Sequence, residues 1–505
     1  MSRDFARNSL FATLAGLGTA LGSFLGIVLV ARLLGPIETG LVAYAVWIAT
    51  LSATLADIGL TQSLARYLPE LSADSDEGAV LGIASRLMRI GLALAMAGAA
   101  IFLWLGALAD PASTFGPTEY WLVGALFTGL LVSALGLATL RGLQRFDQAA
   151  LLTLAALAVQ LVALAFGAFL GGVPGALAGY AAGTIVPILA TLPYAARRPR
   201  LDPALRRRIL RFGLYSWAAA LTTSLVWSRL EIYFLQRYQG AEAVAMFTVG
   251  FTFSNLASQG PLLLTGGLLP YFAESFGRGS TERMQRAYLT ATRLMAFLLF
   301  PTCLGLAALI PVLLPLVYGP AYAEAVPVAA ILIVGAALGA TGAVGSQMIY
   351  ACERSDFIFL SGLGGAILSV AAGFLIVPHF GMIGAALARG AIHALMVAAG
   401  LWFIRRRLHC PVPFGSLARL LVAALLCALA ARACIALIPS SILGLALAVP
   451  LGAAVYGVAV RALGALPAED ARRLRNLLSG RLPDALQRPM DGLLVLLTPD
   501  AARLG

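Results

Sequence analysis

Fourteen apolar stretches follow one another along this chain, each near the ~20 residues an α-helix needs to cross a hydrocarbon core of about 30 Å. They lie at 10–33, 39–62, 80–107, 119–140, 149–170, 174–195, 213–236, 243–268, 288–310, 323–349, 357–377, 382–404, 418–438 and 442–464. Backbone in lipid must satisfy its own hydrogen bonds, so continuous runs of this length read as helices. Several are joined by turns as short as Gly171-Gly-Val-Pro174 and Ile438-Pro-Ser-Ser441, which leave no room for an extramembrane domain. Composition agrees: 60% of the 505 residues are hydrophobic and 11% charged, against roughly 25% charged in a soluble protein. A soluble enzyme, a disordered chain and a disulfide scaffold are thereby excluded. The first stretch is too long for a signal-peptide core and lacks a small-residue cleavage pattern, so no cleavable signal is expected.

The formal charge is +12, and every basic residue is arginine, a habit of GC-rich bacterial genomes. A basic balance can mean nucleic-acid binding. Here arginine placement gives another reading. With a cytoplasmic N-terminus, 30 of the 35 arginines fall on inward-facing segments, most densely from Arg197 to Arg211, while Glu38, Asp110, Glu242 and Glu324 sit in outward turns. This is a positive-inside pattern with both termini cytoplasmic, and no nucleic-acid partner is expected. The five cysteines show no metal-ligand spacing, and their odd number argues against a disulfide framework.

Three local matches recur in order at nearly one offset: Arg32-Leu-Leu-Gly35 with Arg237-Tyr-Gln-Gly240, Gln144-Arg145 with Glu353-Arg354, and Gly172-Val-Pro-Gly-Ala176 with Gly381-Met-Ile-Gly-Ala385. Six helices separate the copies, so both enter from the same side as parallel repeats with substrate expected between them. The expected organisation is a six-helix lobe over 1–196, an amphipathic cytoplasmic linker over 197–212 and a second six-helix lobe over 213–404. Helices 13 and 14 follow within 405–466, then a cytoplasmic tail over 467–505. Asp202-Pro203 reads as the start of a short helix, as N-cap and N1. Its alternating apolar and arginine residues suit an interfacial helix on anionic lipid. Glu469 to Leu478 reads as a similar surface segment.

No P-loop, nucleophile elbow or accessible His-pair motif is present, so neither enzymatic chemistry nor ATP-driven transport by this chain alone is expected. Ionisable residues within spans carry the information, because charge at membrane depth is costly and faces a cavity or a partner. Arg229 and Glu231 are two apart and point in different directions, so each needs a partner elsewhere. Arg389 and His393 are four apart on one face. Arg32 and Arg237 either snorkel to outer headgroups or meet cargo. Asp57 is either a structural hydrogen-bonder or a proton site, and Arg432 lies outside the repeat, where a structural or lipid contact suits it. Arg32, Arg229 and Arg389 are the candidate cargo-binding arginines. Glu231, Asp57 and His393 are candidates for a counter-ion or coupling-ion role. Gln160, Asn255, Gln259 and Gln347 either contact a glycan or bond between helices. No metal site or cofactor is expected beyond possible H⁺ or Na⁺ coupling.

Ala31-Arg-Leu-Leu-Gly-Pro36 with Gly40-Leu-Val-Ala-Tyr44, Asp57-Ile-Gly-Leu60 with Arg66, and Arg141-Gly-Leu-Gln-Arg-Phe146 together form an ordered set of motifs. Val317-Tyr-Gly-Pro-Ala-Tyr322, then Pro378 with Gly381-Met-Ile-Gly-Ala385, complete it. From about residue 5 to 405 this set resembles the polysaccharide-transporter family of bacterial oligosaccharide flippases, which includes O-antigen-type flippases. The family lies within the multidrug/oligosaccharidyl-lipid/polysaccharide (MOP) superfamily. The resemblance implies an all-α polytopic inner-membrane protein of about 14 transmembrane helices, its two lobes in a MATE-like V. It further implies a flippase that carries an undecaprenyl-pyrophosphate-linked oligosaccharide to the periplasmic leaflet for lipopolysaccharide or other surface polysaccharide. Implied partners are the lipid-linked cargo, membrane lipids, and polysaccharide polymerase and chain-length proteins. Arginine suits such a cargo because its planar fork binds phosphate oxygens in pairs.

Four rivals share parts of this pattern. A cation-coupled multidrug exporter calls for acids deep in the membrane, where this chain has Glu231 and an excess of arginine. A lipid II flippase would share the cationic chemistry. A major-facilitator carrier needs a Gly-xxx-Asp-Arg signature that the loop Ser63-Leu-Ala-Arg-Tyr-Leu-Pro-Glu-Leu-Ser72 lacks. A non-transporting scaffold has no use for deep charges.

Overall fold

The structure is a computed structural model. It describes residues 3–72, 77–110, 114–197, 203–227, 229–263, 265, 268–438, 441–467 and 470. Among these all regular structure is helical, in sixteen α-helices. Eleven are long and apolar enough to cross a membrane. One of them, α6 (Phe146–Ala195), covers two of the fourteen stretches, and the stretches 213–236 and 243–268 fall on α7 (Pro203–Trp227), α8 (Glu231–Tyr238) and α9 (Ala241–Leu263). The eleven are consistent with the larger count expected from the sequence.

The chain divides into two compact units, Met1–Thr248 with Gly373–Met382, and Val249–Ala372 with Ile383–Gly505. In the first unit α2 (Pro36–Ala56), α4 (Glu77–Ala107) and α6 pack with α5 (Pro117–Gly142), and α1 (Arg3–Leu34) packs along α6. Small residues set these contacts, as they must where lipid removes the hydrophobic drive between helices. A Cβ on Gly129 would fall 2.1 Å from Thr184 Oγ1, and one on Gly136 would fall 2.2 Å from Thr191 Oγ1. Both threonine hydroxyls donate to carbonyls of their own helix, so neither carries an unmet bond into the seam.

Within α6 the backbone leaves helical geometry at Gly172 (φ 58°, ψ −136°). Gly167 then faces Gly175, Gly179 faces Leu164, and Gly183 faces Gln160, so the two legs run antiparallel as the sequence expects. The same break occurs at Gly381 (φ 55°, ψ −142°) inside α14 (Val377–Arg407). Gln144 and Glu353 pair likewise at φ 60° and 59°, and Gly35 and Gly240 at 83° and 86°. Around the first of these pairs the hydrogen bonds Leu143 N–H to Thr139, Gln144 N–H to Arg141 and Arg145 N–H to Leu140 are repeated 209 residues later by Cys352, Glu353 and Arg354. The repeat read in the sequence thus reappears in the backbone, turn for turn.

Two boundaries differ from expectation. The stretch 39–62 stops being α2 at Ala56. At Ile58 (φ 44°) and Gly59 (φ 74°) the helix breaks, and the amphipathic α3 (Leu60–Ser72) begins. A side chain at Gly59 would also strike the Gly213 carbonyl, 2.1 Å from an ideal Cβ. The expected short linker helix is instead the first part of one 25-residue helix, α7. Its Ile209 and Phe212 join the apolar core of the first unit, where the ring edge of Tyr67 meets Phe212 at 5.5 Å. The reason is that apolar residues at helical spacing found protein to pack against.

The second unit is built on the 38-residue α11 (Thr281–Tyr318), which packs against α12 (Ala325–Ala351) and α15 (Phe414–Leu437). Helix α16 (Ser441–Ala462) completes a hairpin with α15, and its Tyr456 hydroxyl donates to the Phe297 carbonyl at 2.8 Å. Beyond α16, Asp470 is buried at 1% exposure between Thr290 and Arg293 of α11. The rest of the expected surface segment Glu469 to Leu478 lies outside the described residues.

Candidate functional site

The structure brings Arg389 and His393 together, four residues apart on α14, both buried at 5% and 7% exposure. Their depth follows from glycines on α12. Gly335 meets Gly390, Gly339 meets His393 and Gly342 meets Val397, so the two helices approach closely and run in the same direction. A side chain on Gly335 would lie 3.2 Å from the Gly390 Cα. The guanidinium of Arg389 sits 5.0 Å from the Phe251 ring centroid on α9, within the range of a desolvated cation–π contact worth about 2 kcal/mol. Its electrostatic neighbours include His393.

In the first unit Arg229 lies in the connection between α7 and α8. It is half-buried and holds φ at +59°, a left-handed conformation that costs a non-glycine residue energy. The guanidinium lies in electrostatic range of Tyr180 on the second leg of α6. Glu231 follows at 7% exposure in the first turn of α8. Arg32 is exposed on the last turn of α1.

The remaining polar candidates have local engagements. Asp57 lies at the break between α2 and α3, where its two carboxylate oxygens accept from the Thr61 backbone N–H at 3.1 Å and the Thr61 hydroxyl at 2.8 Å. Gln259 Nε2 donates to Asn255 Oδ1 at 3.1 Å along α9. Gln160 lies against Gly183 in the α6 hairpin, and Gln347 is half-buried on α12. Arg237 is exposed with its guanidinium 5.9 Å from the Tyr238 ring, and Arg432 is exposed on α15. Among the described residues no three His, Cys, Asp or Glu side chains gather as a metal site would require.

Sequence reasoning did not anticipate an aromatic group in the first unit. Tyr44 stacks on Trp47 at 6.0 Å and on Phe115 at 5.8 Å, and Phe115 meets the edge of Tyr120 at 5.7 Å. Its members come from α2, the connection before α5, and α5 itself, so no single stretch of sequence displays it. The glycine spacing 335, 339, 342 that carries α14 was visible and marks close helix approach.

A family model described as polysaccharide biosynthesis protein matches residues 5–276. No curated protein matches the sequence. Among solved structures, the chain is similar to the lipid II flippase MurJ in an inward closed conformation, at 15% identity and a TM-score of 0.69, over 91% of this chain and 98% of that one. It is also similar to an inward-facing multidrug resistance MATE family transporter of the MOP superfamily: 17% identity, TM-score 0.66, 77% and 94% covered. A third likeness is to a MOP superfamily transporter from Pyrococcus furiosus, at 17% identity and a TM-score of 0.56, with 80% and 95% covered. At such identities the likeness is one of fold.

Proposed function

This chain belongs to the polysaccharide biosynthesis protein family, and from that premise we propose that it is a flippase for a lipid-linked oligosaccharide. The cargo is an undecaprenyl-pyrophosphate-linked glycan, moved by alternating access from the cytoplasmic to the periplasmic leaflet of a bacterial inner membrane. The observation that carries this reading is Arg389, a guanidinium held at 5% exposure on a membrane-spanning helix. A cation at that depth is costly unless an anionic group or a wet cavity compensates it. A pyrophosphate is the anion that polysaccharide assembly on a lipid carrier would deliver, and arginine can bind two of its oxygens at once.

In this reading Arg389 and Arg229 receive the pyrophosphate as cargo moves, and Arg32 meets it or an acidic sugar near the outer face. Glu231 and His393 serve as counter-ion or H⁺/Na⁺-coupling groups, and Gln160, Asn255, Gln259 and Gln347 contact the glycan. Polymerase and chain-length proteins would consume the delivered product. The test is reconstitution of the full chain in vesicles with a fluorescent undecaprenyl-pyrophosphate oligosaccharide. Leaflet transfer above that of protein-free vesicles is expected. No transfer by the wild-type protein overturns the function, and undiminished transfer by Arg229→Ala with Arg389→Ala overturns the site. Transfer of a cationic dye with no transfer of the glycolipid would assign the chain to drug export instead.

A further inference from the structure

The densest run of arginine in the chain divides, in the structure, into two sets with different work. Arg208 pairs with Glu70 at 2.8 Å and lies 5.3 Å from the Tyr67 ring centroid. Arg66 covers the Phe212 ring at 4.5 Å. Together with the buried Ile209 these contacts fasten the first turns of α7 to α3. Arg207 and Arg211 turn the other way. Both are exposed, and neither makes an ion pair among the described residues. At 100° per residue they share the outer face of α7 with Leu214 and Ala218, while Ile209 and Gly213 occupy the opposite, buried face.

That outer face is graded along the helix. It begins with Arg207 and Arg211, one turn and about 6 Å apart. It continues into the apolar Leu210 and Leu214, each 54% exposed, and Tyr215, 73% exposed. A cationic turn that runs directly into exposed leucine and an interfacial tyrosine matches one amphiphile, with its anionic head against the arginines and its chain along the leucines. We propose that the start of α7 is a binding site for the headgroup of an anionic phospholipid, held between Arg207 and Arg211. Two guanidinium forks at that spacing can share a phosphodiester, each donating paired hydrogen bonds. The packing of α7 on α3 presents them in a fixed position, so little ordering cost remains for the lipid to meet.

The site is tested on the full-length protein in detergent by native mass spectrometry. Phosphatidylglycerol and phosphatidylcholine of matched acyl chains are titrated separately. Wild-type protein is expected to retain phosphatidylglycerol preferentially. Each of Arg207→Gln and Arg211→Gln should weaken that retention about fivefold, from about one surface charge interaction per arginine, and the pair more than tenfold. Arg207→Lys with Arg211→Lys keeps the charge without the paired donors and should fall between wild type and the Gln pair in its preference. Equal retention of the two lipids by wild type, or undiminished phosphatidylglycerol retention by the Gln pair, overturns the proposal. Undecaprenyl pyrophosphate is added in a third titration. If it is held at these arginines while phosphatidylglycerol is not, the face receives cargo and the phospholipid assignment falls.

Discussion

Gly172 and Gly381 stand 209 residues apart and adopt one backbone geometry, φ 58° and ψ −136° against φ 55° and ψ −142°. Each sits where one helix reverses into the next. The coincidence is a sharper mark of the repeat than the residues themselves, because the motifs around the two glycines share few side chains. Their neighbours differ. Gly172 has open space apart from Glu38 Oε2 at 3.9 Å from an ideal Cβ, whereas the amide of Gln239 would lie 2.4 Å from one at Gly381.

Alanine at either glycine should therefore destabilise the protein through the backbone, by about 1–3 kcal/mol. Gly381→Ala should cost more than Gly172→Ala, since the Gln239 side chain must also move. Thermal unfolding of the purified variants checks the order. Equal midpoints for Gly172→Ala and wild type would show that the turn relaxes into another conformation.

The buried pair of Arg293 and Asp470 yields a second prediction. Thr290 Oγ1 donates to Asp470 Oδ1 at 2.9 Å, and Arg293 Nε donates to Oδ2. Asp470 is 1% exposed and Arg293 18%, so removal of one partner leaves a charge with poor access to water. Arg293→Met and Asp470→Leu should each cost about 3–5 kcal/mol, and the double substitution much less than their sum. Unfolding of the three variants in one detergent measures the coupling. Additive losses would mean that the two side chains act independently.

Much of this architecture was legible because lipid imposes a length on every spanning helix and denies the backbone other partners. Most spans, the α6 hairpin, the repeat and the appended α15–α16 pair followed from that constraint and from glycine placement. What escaped was set by tertiary contact. The break at Asp57–Gly59 lies inside an apolar stretch, and the close approach of Gly213 to Gly59 comes from a helix far along the sequence. Ile209 and Phe212 carry helical spacing whether they face lipid or α3. Asp470 carried no signal, since an acid in a polar segment gives no hint of burial. Within the site, the pairing of Arg389 with His393 was readable from spacing alone. The Phe251 ring beside Arg389 belongs to another helix and was not.

Cysteine chemistry provides a third prediction. Cys410 lies in the connection between α14 and α15, at 1% exposure. Burial, and then the nearby Cys352, push its thiol up from 9.0 to about 12. At pH 8 only about one molecule in ten thousand then carries the reactive thiolate. A maleimide should leave Cys410 unlabelled in the folded protein and modify it after denaturation, as peptide mass spectrometry would show. The linkage has a definite sign. The folded value lies above the unfolded one, so the contribution of this thiol to stability is complete below pH 9 and is lost as pH rises toward 12. Cys410→Ala should remove that part of the alkaline destabilisation.

Arg389 allows stability and transport to be separated, which a role in cargo recognition requires. Arg389→Met keeps most of the side-chain volume, removes the charge and can still pack on Phe251. Met gives up the cation–π contact with Phe251, so the melting temperature of this variant should fall by a few degrees. Its flipping rate should fall at least tenfold, because the pyrophosphate loses a bidentate donor worth about 1.5–3 kcal/mol. Arg389→Lys keeps a point charge but not the planar fork, and should fall between the two. Rates in vesicles and midpoints in detergent, measured on the same three proteins, decide the matter. If the flipping rate of Arg389→Met equals that of wild type, the guanidinium is a packing element of α14 beside α12, and recognition of the pyrophosphate passes to Arg229.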